Sequence, residues 1–490
     1  MPTKKNTNNA PFLDFQGVQT GQPITKSRGI YLLIMVAIFA ICMILPLDFI
    51  SPMAAPALAL VLSVVWIWIT NCMPLATGCM VLVVGGMLLG LFDFGEFSKS
   101  FASSPFVPMI GMLIVSMGAS RTNFANRVAY LFLSTLGRSP SLILLAISVA
   151  TAVVSAFVSN LGTTIVMSSI SIAIMSEMGE IKGESGLGKA IMLSIPIYSM
   201  IGGIMLITGS PSTNMMGISM LESSTNGQYT VTYAQWAIIG IISGILVLLP
   251  TWFIYKGCFK VKNKLDNDIS IESFKEKLKE LGPLRGAELR WIIIVIIMVG
   301  TMVTGVFNMP TAALLCGLLT IMPIVGVVNP EDALKSLPFD VLMLIGFSPI
   351  IADIINNSNL GQWIVSNFFD WTTGLPAFMF MLIMTFAMAF MINIFANATI
   401  GIIAVVIAAL TPLVIANGMN PSIILLPAMY MGSATTVLGI QTNVVLTYHH
   451  GYWNMKDPLK PGILTAIVWS LILTVVAYIV GPMIGMPLYI

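Results

Sequence analysis

Residues 153–166 read Val153-Val154-Ser155-Ala156-Phe157-Val158-Ser159-Asn160-Leu161-Gly162-Thr163-Thr164-Ile165-Val166. Small polar groups stand here in the middle of an apolar stretch that runs from about 140 to 178. A straight membrane helix has no reason to place breakers at mid-depth, where non-helical backbone survives only if protein or a cavity satisfies it. The stretch is therefore expected to be two helices joined at a break, entering and leaving the membrane on one side. A second stretch of the same kind spans about 376–416, with Asn397-Ala398-Thr399 at its middle.

The composition around these stretches demands a bilayer. Hydrophobic residues make up 57% of the 490 and charged residues only 9%, against roughly 25% charged in a typical soluble domain. A span needs about 20 apolar residues. Eleven further runs qualify as candidates, at about 30–47, 53–71, 74–92, 106–119, 186–208, 235–255, 290–308, 311–328, 340–354, 425–447 and 462–484. The expected fold class is an all-α polytopic membrane protein of about 11 spans plus two re-entrant hairpins. The first 28 residues are polar and lack an early apolar run, which argues against a cleaved signal peptide. The five cysteines have no CxxC spacing and read as small apolar residues. A net charge of +2 gives no reason to expect nucleic acid as a partner.

Basic residues set the expected orientation. With the N-terminus inside, every Lys and Arg except Lys99 falls on the cytoplasmic side, and the C-terminus falls outside. This assigns 1–28 to a cytoplasmic tail, 29–255 to a first membrane repeat, 256–289 to a cytoplasmic linker and 290–490 to a second repeat. The repeats share landmarks in order. Ser104-Pro105-Phe106 matches Leu337-Pro338-Phe339; Pro140 after Gly137 matches Pro376 after Gly374; Asn160 and Asn397 stand at the breaks; Thr213-Asn214 matches Thr442-Asn443. The hairpins then enter from opposite sides, the signature of an inverted repeat, which typically places substrate and ions near the midplane at interrupted helices.

The hairpins contain no Lys, Arg, His, Asp or Glu between Pro140 and Met175 or between Pro376 and Pro421. A ligand at their tips meets hydroxyls, amides and backbone. Half-helix N-termini present N–H groups and the positive end of the dipole, which suit an anion. Half-helix C-termini present carbonyl oxygens, which suit Na⁺. The span 186–216 is interrupted at Thr208-Gly209-Ser210-Pro211-Ser212-Thr213-Asn214, because Pro cannot donate and Gly allows close backbone approach. The span 425–447 carries a weaker interruption at Gly439-Ile440-Gln441-Thr442-Asn443.

The tip Ser159-Asn160, the interrupted Gly209-Ser210-Pro211-Ser212-Thr213-Asn214, the late Tyr448-His449-His450-Gly451 and the order of elements resemble the divalent anion/sodium symporter family. The resemblance implies a homodimer, with a transport domain that moves against a scaffold like an elevator. It also implies a small organic anion of the di- or tricarboxylate class as substrate, Na⁺ as coupling ion, no other cofactor or metal, and a plasma (inner) membrane location. Family members carry Ser-Asn-Thr at each tip. Here the triplets are Ser159-Asn160-Leu161 and Ala396-Asn397-Ala398.

Residue chemistry and resemblance together point to Ser159, Asn160, Thr163, Ser210, Asn397, Thr399 and Thr442 for the anion. The resemblance implies Ser155, Ser159, Asn160 and Gly209 for a first sodium, with Asn397 for a second. The family hydroxyl one turn before the second triplet falls here on Ile392, beside Asn393, which puts a second sodium in question. The missing tip hydroxyls leave open a monocarboxylate, a sulfate-like anion or Na⁺-independent exchange.

An intramembrane enzyme has little to work with. The two histidines are adjacent and no HExxH or GxSxG occurs. Nothing resembles a ring-forming channel filter. The acid-free hairpins disfavour proton coupling through the core.

Overall fold

The computed structural model describes residues 26–490 apart from 71, 104, 262–270, 362, 364–366, 368–371, 373, 396–397 and 435–436. The regular elements among the described residues are all helices, with a single isolated bridge between Met419 and Tyr489. Nine helices among them are long and apolar enough to cross a membrane. The expected spans at 53–71, 74–92 and 311–328 form shorter apolar helices, Ala54–Thr70, Leu75–Leu88 and Met309–Ile321.

Both mid-stretch breaks are present. Pro140–Ser155 and Asn160–Glu177 form the first broken pair, and Ala377–Ile394 and Thr399–Ala416 the second. Each starts where the sequence has its signal. Ser139 caps the first limb by accepting from Leu142 N, ahead of Pro140 at the first helical position. The limbs hold 16, 18, 18 and 18 residues, about 24–27 Å at 1.5 Å per residue.

The span 186–216 is also interrupted, as Gly186–Met205, a 3₁₀ turn at Ile207–Gly209, and Pro211–Ser224. The break lies at Gly209-Ser210-Pro211 because the Pro211 ring removes a donor and Gly209 has no room for a side chain. A Cβ at Gly209 would lie 2.7 Å from the Ser155 carbonyl oxygen. In the second half Pro421–Ile424, Leu426–Gly432 and Thr442–Tyr448 form the corresponding pieces.

Packing follows a crossed pattern. Within each half, the first piece of the interrupted helix lies on the first limb of its own broken pair: Gly186–Met205 on Pro140–Ser155, and Leu426–Gly432 on Ala377–Ile394. The second piece crosses over. Pro211–Ser224 packs on Thr399–Ala416, and Thr442–Tyr448 packs on Asn160–Glu177. Tyr233–Cys258 and Leu459–Met483 pack on each other and back these elements. The Trp236 indole joins the halves. It donates to Ile204 O at 2.9 Å, and its ring meets Tyr430 edge-on at 4.5 Å, while the Tyr430 hydroxyl donates to Trp236 O at 2.7 Å. A second group contains Ala54–Thr70, Leu75–Leu88, Phe106–Ser120, Gly286–Thr304, Met309–Ile321 and Phe339–Phe347. Its contacts run mainly within the group.

The segment between the halves is not a plain loop. Ile271–Glu280 forms a helix that packs on Phe124–Leu136, burying Phe274 completely. Its Lys277 pairs with Glu177 at 2.5 Å. Just beyond it, Arg127 grips the buried Glu288 with two bonds, at 2.8 and 3.0 Å, and donates to Gly282 O at 2.9 Å. Removing one partner of such a fork strands the other charge, at a cost of about 3 kcal/mol. Glu288→Ala is therefore expected to lower the apparent melting temperature of the detergent-purified protein by about 3 °C. An unchanged melting temperature would show that the fork adds nothing.

Candidate functional site

A cavity of about 370 Å³ lies where the two breaks meet. The first turns of four helices line it. Ser159, Asn160 and Leu161 come from the start of Asn160–Glu177, and Ser210 through Thr213 from the start of Pro211–Ser224. Ala398 through Gly401 come from the start of Thr399–Ala416, and Gln441, Thr442 and Asn443 from the start of Thr442–Tyr448. The crossed packing produces this convergence. Each second limb lies beside the second piece of the other half's interrupted helix, with both N-termini on the cavity.

An α-helix leaves its first four N–H groups without an internal partner. Its N-terminus carries the equivalent of about half a positive charge. Of these four starts, only Asn160–Glu177 has a side-chain cap hydrogen bond, from Gly162 N to Ser159 Oγ at 3.3 Å. Among the described residues, the cavity lining contains no Lys, Arg, His, Asp or Glu. Helix N-termini are then what makes the cavity favourable to an anion. The opposite wall is apolar, with Leu75, Leu113, Val341 and Leu344 from the second group of helices.

Hydroxyls bridge the halves at the floor. Thr213 Oγ1 lies 2.7 Å from Ser210 Oγ and 2.6 Å from Ser433 Oγ, which itself lies 3.1 Å from Asn214 Oδ1. The Asn214 amide donates to Gly203 O and Leu206 O at 2.8 and 3.2 Å, holding the unwound turn. Behind the first tip, the Ser155 hydroxyl donates to Asn160 Oδ1 at 2.9 Å. A Cβ at Gly203 would collide with that Asn160 amide, and a Cβ at Gly209 would crowd Ser155 O and Gly202 O. Oxygens of the hairpin and of the interrupted turn therefore approach each other where only glycines allow it.

Of the residues singled out from sequence, Ser159, Asn160, Ser210, Thr399 and Thr442 line the cavity. Ser155 and Gly209 lie behind the first tip, against each other. Thr163 is fully buried and donates to Val158 O at 3.4 Å, so it does not face the cavity. Asn397 lies outside the described residues. Sequence reasoning missed Ser433, at the floor, and Ser116. Ser116 lies on Phe106–Ser120 and accepts from Ser159 N at 2.9 Å, tying the first tip to the other group of helices. No local signal marks either one, because a lone Ser in a membrane helix is common packing.

The histidines lie away from the cavity. His450 follows Thr442–Tyr448, where burial, then Lys182, then His449 lower its pKa. Among the described residues no group of His, Cys, Asp and Glu could hold a metal. Asp340 accepts from Ala76 N at 3.3 Å and ties two helices of the second group.

Residues 26–487 match the family described as the sodium:sulfate symporter transmembrane region. The chain is 25% identical over 474 residues to the sodium-dependent dicarboxylate transporter SdcS of Staphylococcus saprophyticus, covering 89% of this chain and 88% of that one. It is 24% identical over 457 residues to the SdcS of Staphylococcus aureus, covering 87% and 86%. In fold it is similar to Neisseria gonorrhoeae MtrF, described as one of a class of antimetabolite efflux pumps, with a TM-score of 0.55 at 12% identity over 81% of this chain and 85% of that one. It is likewise similar to the Alcanivorax borkumensis YdaH transporter, at 0.53 and 15% over 81% and 89%. The chain is a membrane transporter rather than an enzyme, and it belongs to the sodium:sulfate symporter family, the divalent anion/sodium symporters.

Proposed function

We propose that the chain carries small organic anions of the dicarboxylate class across the plasma membrane, coupled to Na⁺, by elevator-type alternating access. The observation that carries this reading is the convergence of four helix N-termini on one cavity without charged side chains. Such a site holds a carboxylate through backbone N–H groups, side-chain amides and hydroxyls, and sets it free again without breaking a salt bridge. Asn160, Ser159, Ser210, Thr399 and Thr442 contact the anion. Ser155, Ser159, Asn160 and the Gly209 turn hold Na⁺, a hard cation suited to oxygen ligands. The relatives' names as sodium-dependent dicarboxylate transporters support both halves of the assignment.

The crossed packing of limbs and interrupted helices supports an inverted repeat with one re-entrant hairpin from each side. The broken pairs, the interrupted helices, Tyr233–Cys258 and Leu459–Met483 form the moving unit. The apolar wall of Leu75, Leu113, Val341 and Leu344 belongs to the scaffold past which it slides. The N-terminus lies inside and the C-terminus outside, as the basic residues require, and two chains form a homodimer through their scaffolds. One observation favours a second substrate reading. Leu161 and Ala398 place apolar groups at the two tips, which suits an anion with a single carboxylate.

Thermal unfolding of the purified protein tests the binding step. A ligand held only by the folded state at a hundred times its Kd stabilises by about 2.7 kcal/mol. Succinate is expected to raise the melting temperature in NaCl and not in choline chloride. Equal shifts in both salts would remove sodium from the site.

A further inference from the structure

We infer that two residues on the scaffold side, Ser116 and Phe124, latch the first hairpin tip in the position seen here, and so set how the moving unit divides its time between its two positions. This rests on the proposed elevator reading.

Trp291, on Gly286–Thr304, is 1% exposed and organises the latch. Its indole N–H donates to Val115 O at 2.8 Å, fixing the turn of Phe106–Ser120 that carries Ser116. Gly118 on that helix makes room for the ring, since a Cβ there would lie 2.5 Å from Trp291 Cδ1. The other face of the arrangement is Phe124, whose ring centroid lies 4.8 Å from that of Trp291. Phe124 opens Phe124–Leu136, a helix whose body packs on Pro140–Ser155. Its first turn is nevertheless bound to the scaffold twice, by Phe124 on Trp291 and by Arg127 on Glu288. Ser116 and Phe124 therefore share one rigid mount.

Both reach the same target, the tip between Pro140–Ser155 and Asn160–Glu177. Ser116 Oγ accepts from Ser159 N at 2.9 Å, and the Phe124 ring meets Phe157 edge-on at 6.4 Å. Ser116 and Phe124 lie outside the cavity lining, so they act on where the tip stands and not on the anion. They are positioning residues. A tip that slides along the scaffold breaks both contacts and leaves the Ser159 N–H in need of another partner. A contact made in one position and not in the other shifts the balance between them by its own strength. A neutral hydrogen bond contributes about two- to tenfold, and an edge-on aromatic pair a similar factor.

The test reads the two positions directly, by double electron–electron resonance in proteoliposomes with and without Na⁺ and succinate. Nitroxides are placed through Lys335→Cys, on the short scaffold helix whose Ala333 packs on Ile114, and Lys456→Cys, ahead of Leu459–Met483 in the moving unit. Both sites are exposed. Cys258→Ser removes the one native cysteine that is not buried. Two distance populations are expected in the otherwise wild-type chain. Ser116→Ala should lower the ratio of the described position to the other by about two- to tenfold. Ser116→Thr, which keeps the hydroxyl, should stay within about twofold of the parent. Phe157→Leu, which keeps an apolar side chain but loses the ring, should move the ratio in the same direction as Ser116→Ala. It decides the matter if Ser116→Ala fails to insert. Two populations whose ratio ignores Ser116→Ala and Phe157→Leu would overturn the latch and leave the elevator standing. Ser116→Thr behaving like Ser116→Ala would assign the effect to packing and overturn it too. A single population under every condition would overturn the elevator reading and this inference together.

Discussion

Asn160→Ala is expected to abolish anion uptake, by about a hundredfold or more, while the protein still inserts and folds. Asn160 stands at the start of Asn160–Glu177 with its side chain on the cavity and its Oδ1 beside Ser155. In the proposed mechanism its amide donates to the anion and its oxygen binds Na⁺. A hydrogen bond to a charged group is worth about 1.5–3 kcal/mol, so losing two such contacts costs about 3–6 kcal/mol of the loaded state. Folding loses much less, about 1 kcal/mol, because the bond given up is a neutral one from a serine hydroxyl. The check is uptake into proteoliposomes alongside the elution profile of the purified variant. A well-folded variant that transports at the wild-type rate would remove Asn160 from the site.

The second large effect concerns the tips, where the chain departs from its family. Leu161 lines the cavity at the place of the threonine that the resemblance implies, and Ala398 does so at the other tip. Ala398 is the N-cap of Thr399–Ala416 and makes no capping bond from its side chain. A threonine there would accept from an N–H of its own first turn and leave its hydroxyl proton to donate to an anion. One added donor to a carboxylate amounts to about 1.5–3 kcal/mol, roughly ten- to a hundredfold in affinity. Ala398→Thr is therefore expected to tighten succinate binding by that factor, and to tighten a monocarboxylate of equal length by much less. Titrations on wild type and variant decide it. If wild type already binds succinate in the low micromolar range and the variant gains nothing, backbone N–H groups supply all the donors and the tips are not weakened.

What could be read in the sequence was what one helix decides by itself. Pro140 after Gly137, and Gly209-Ser210-Pro211, encode where a helix starts or stops, and the helices start and stop there. The small polar run around Asn160 marked a break because nothing else excuses such residues at mid-depth. Thr163 was less legible. Residues 160 and 163 lie on one helix, but the first turn alone reaches the cavity, and Thr163 turns inward to Val158. The meeting of four N-termini was beyond sequence reading altogether, because it depends on which limb packs on which interrupted helix. Ser433 and Ser116 were illegible for the same reason. Each matters only through a partner hundreds or tens of residues away, Thr213 for one and Ser159 for the other.

In the proposed mechanism a cavity made of helix N-termini binds an anion together with Na⁺ and moves both. Accumulation of labelled succinate in proteoliposomes under an inward Na⁺ gradient tests it most directly. The expected result is transient accumulation above the external concentration, collapsing when the gradient is dissipated and absent in Asn160→Ala. Succinate that only equilibrates, at the same rate with and without the gradient, would contradict the claim.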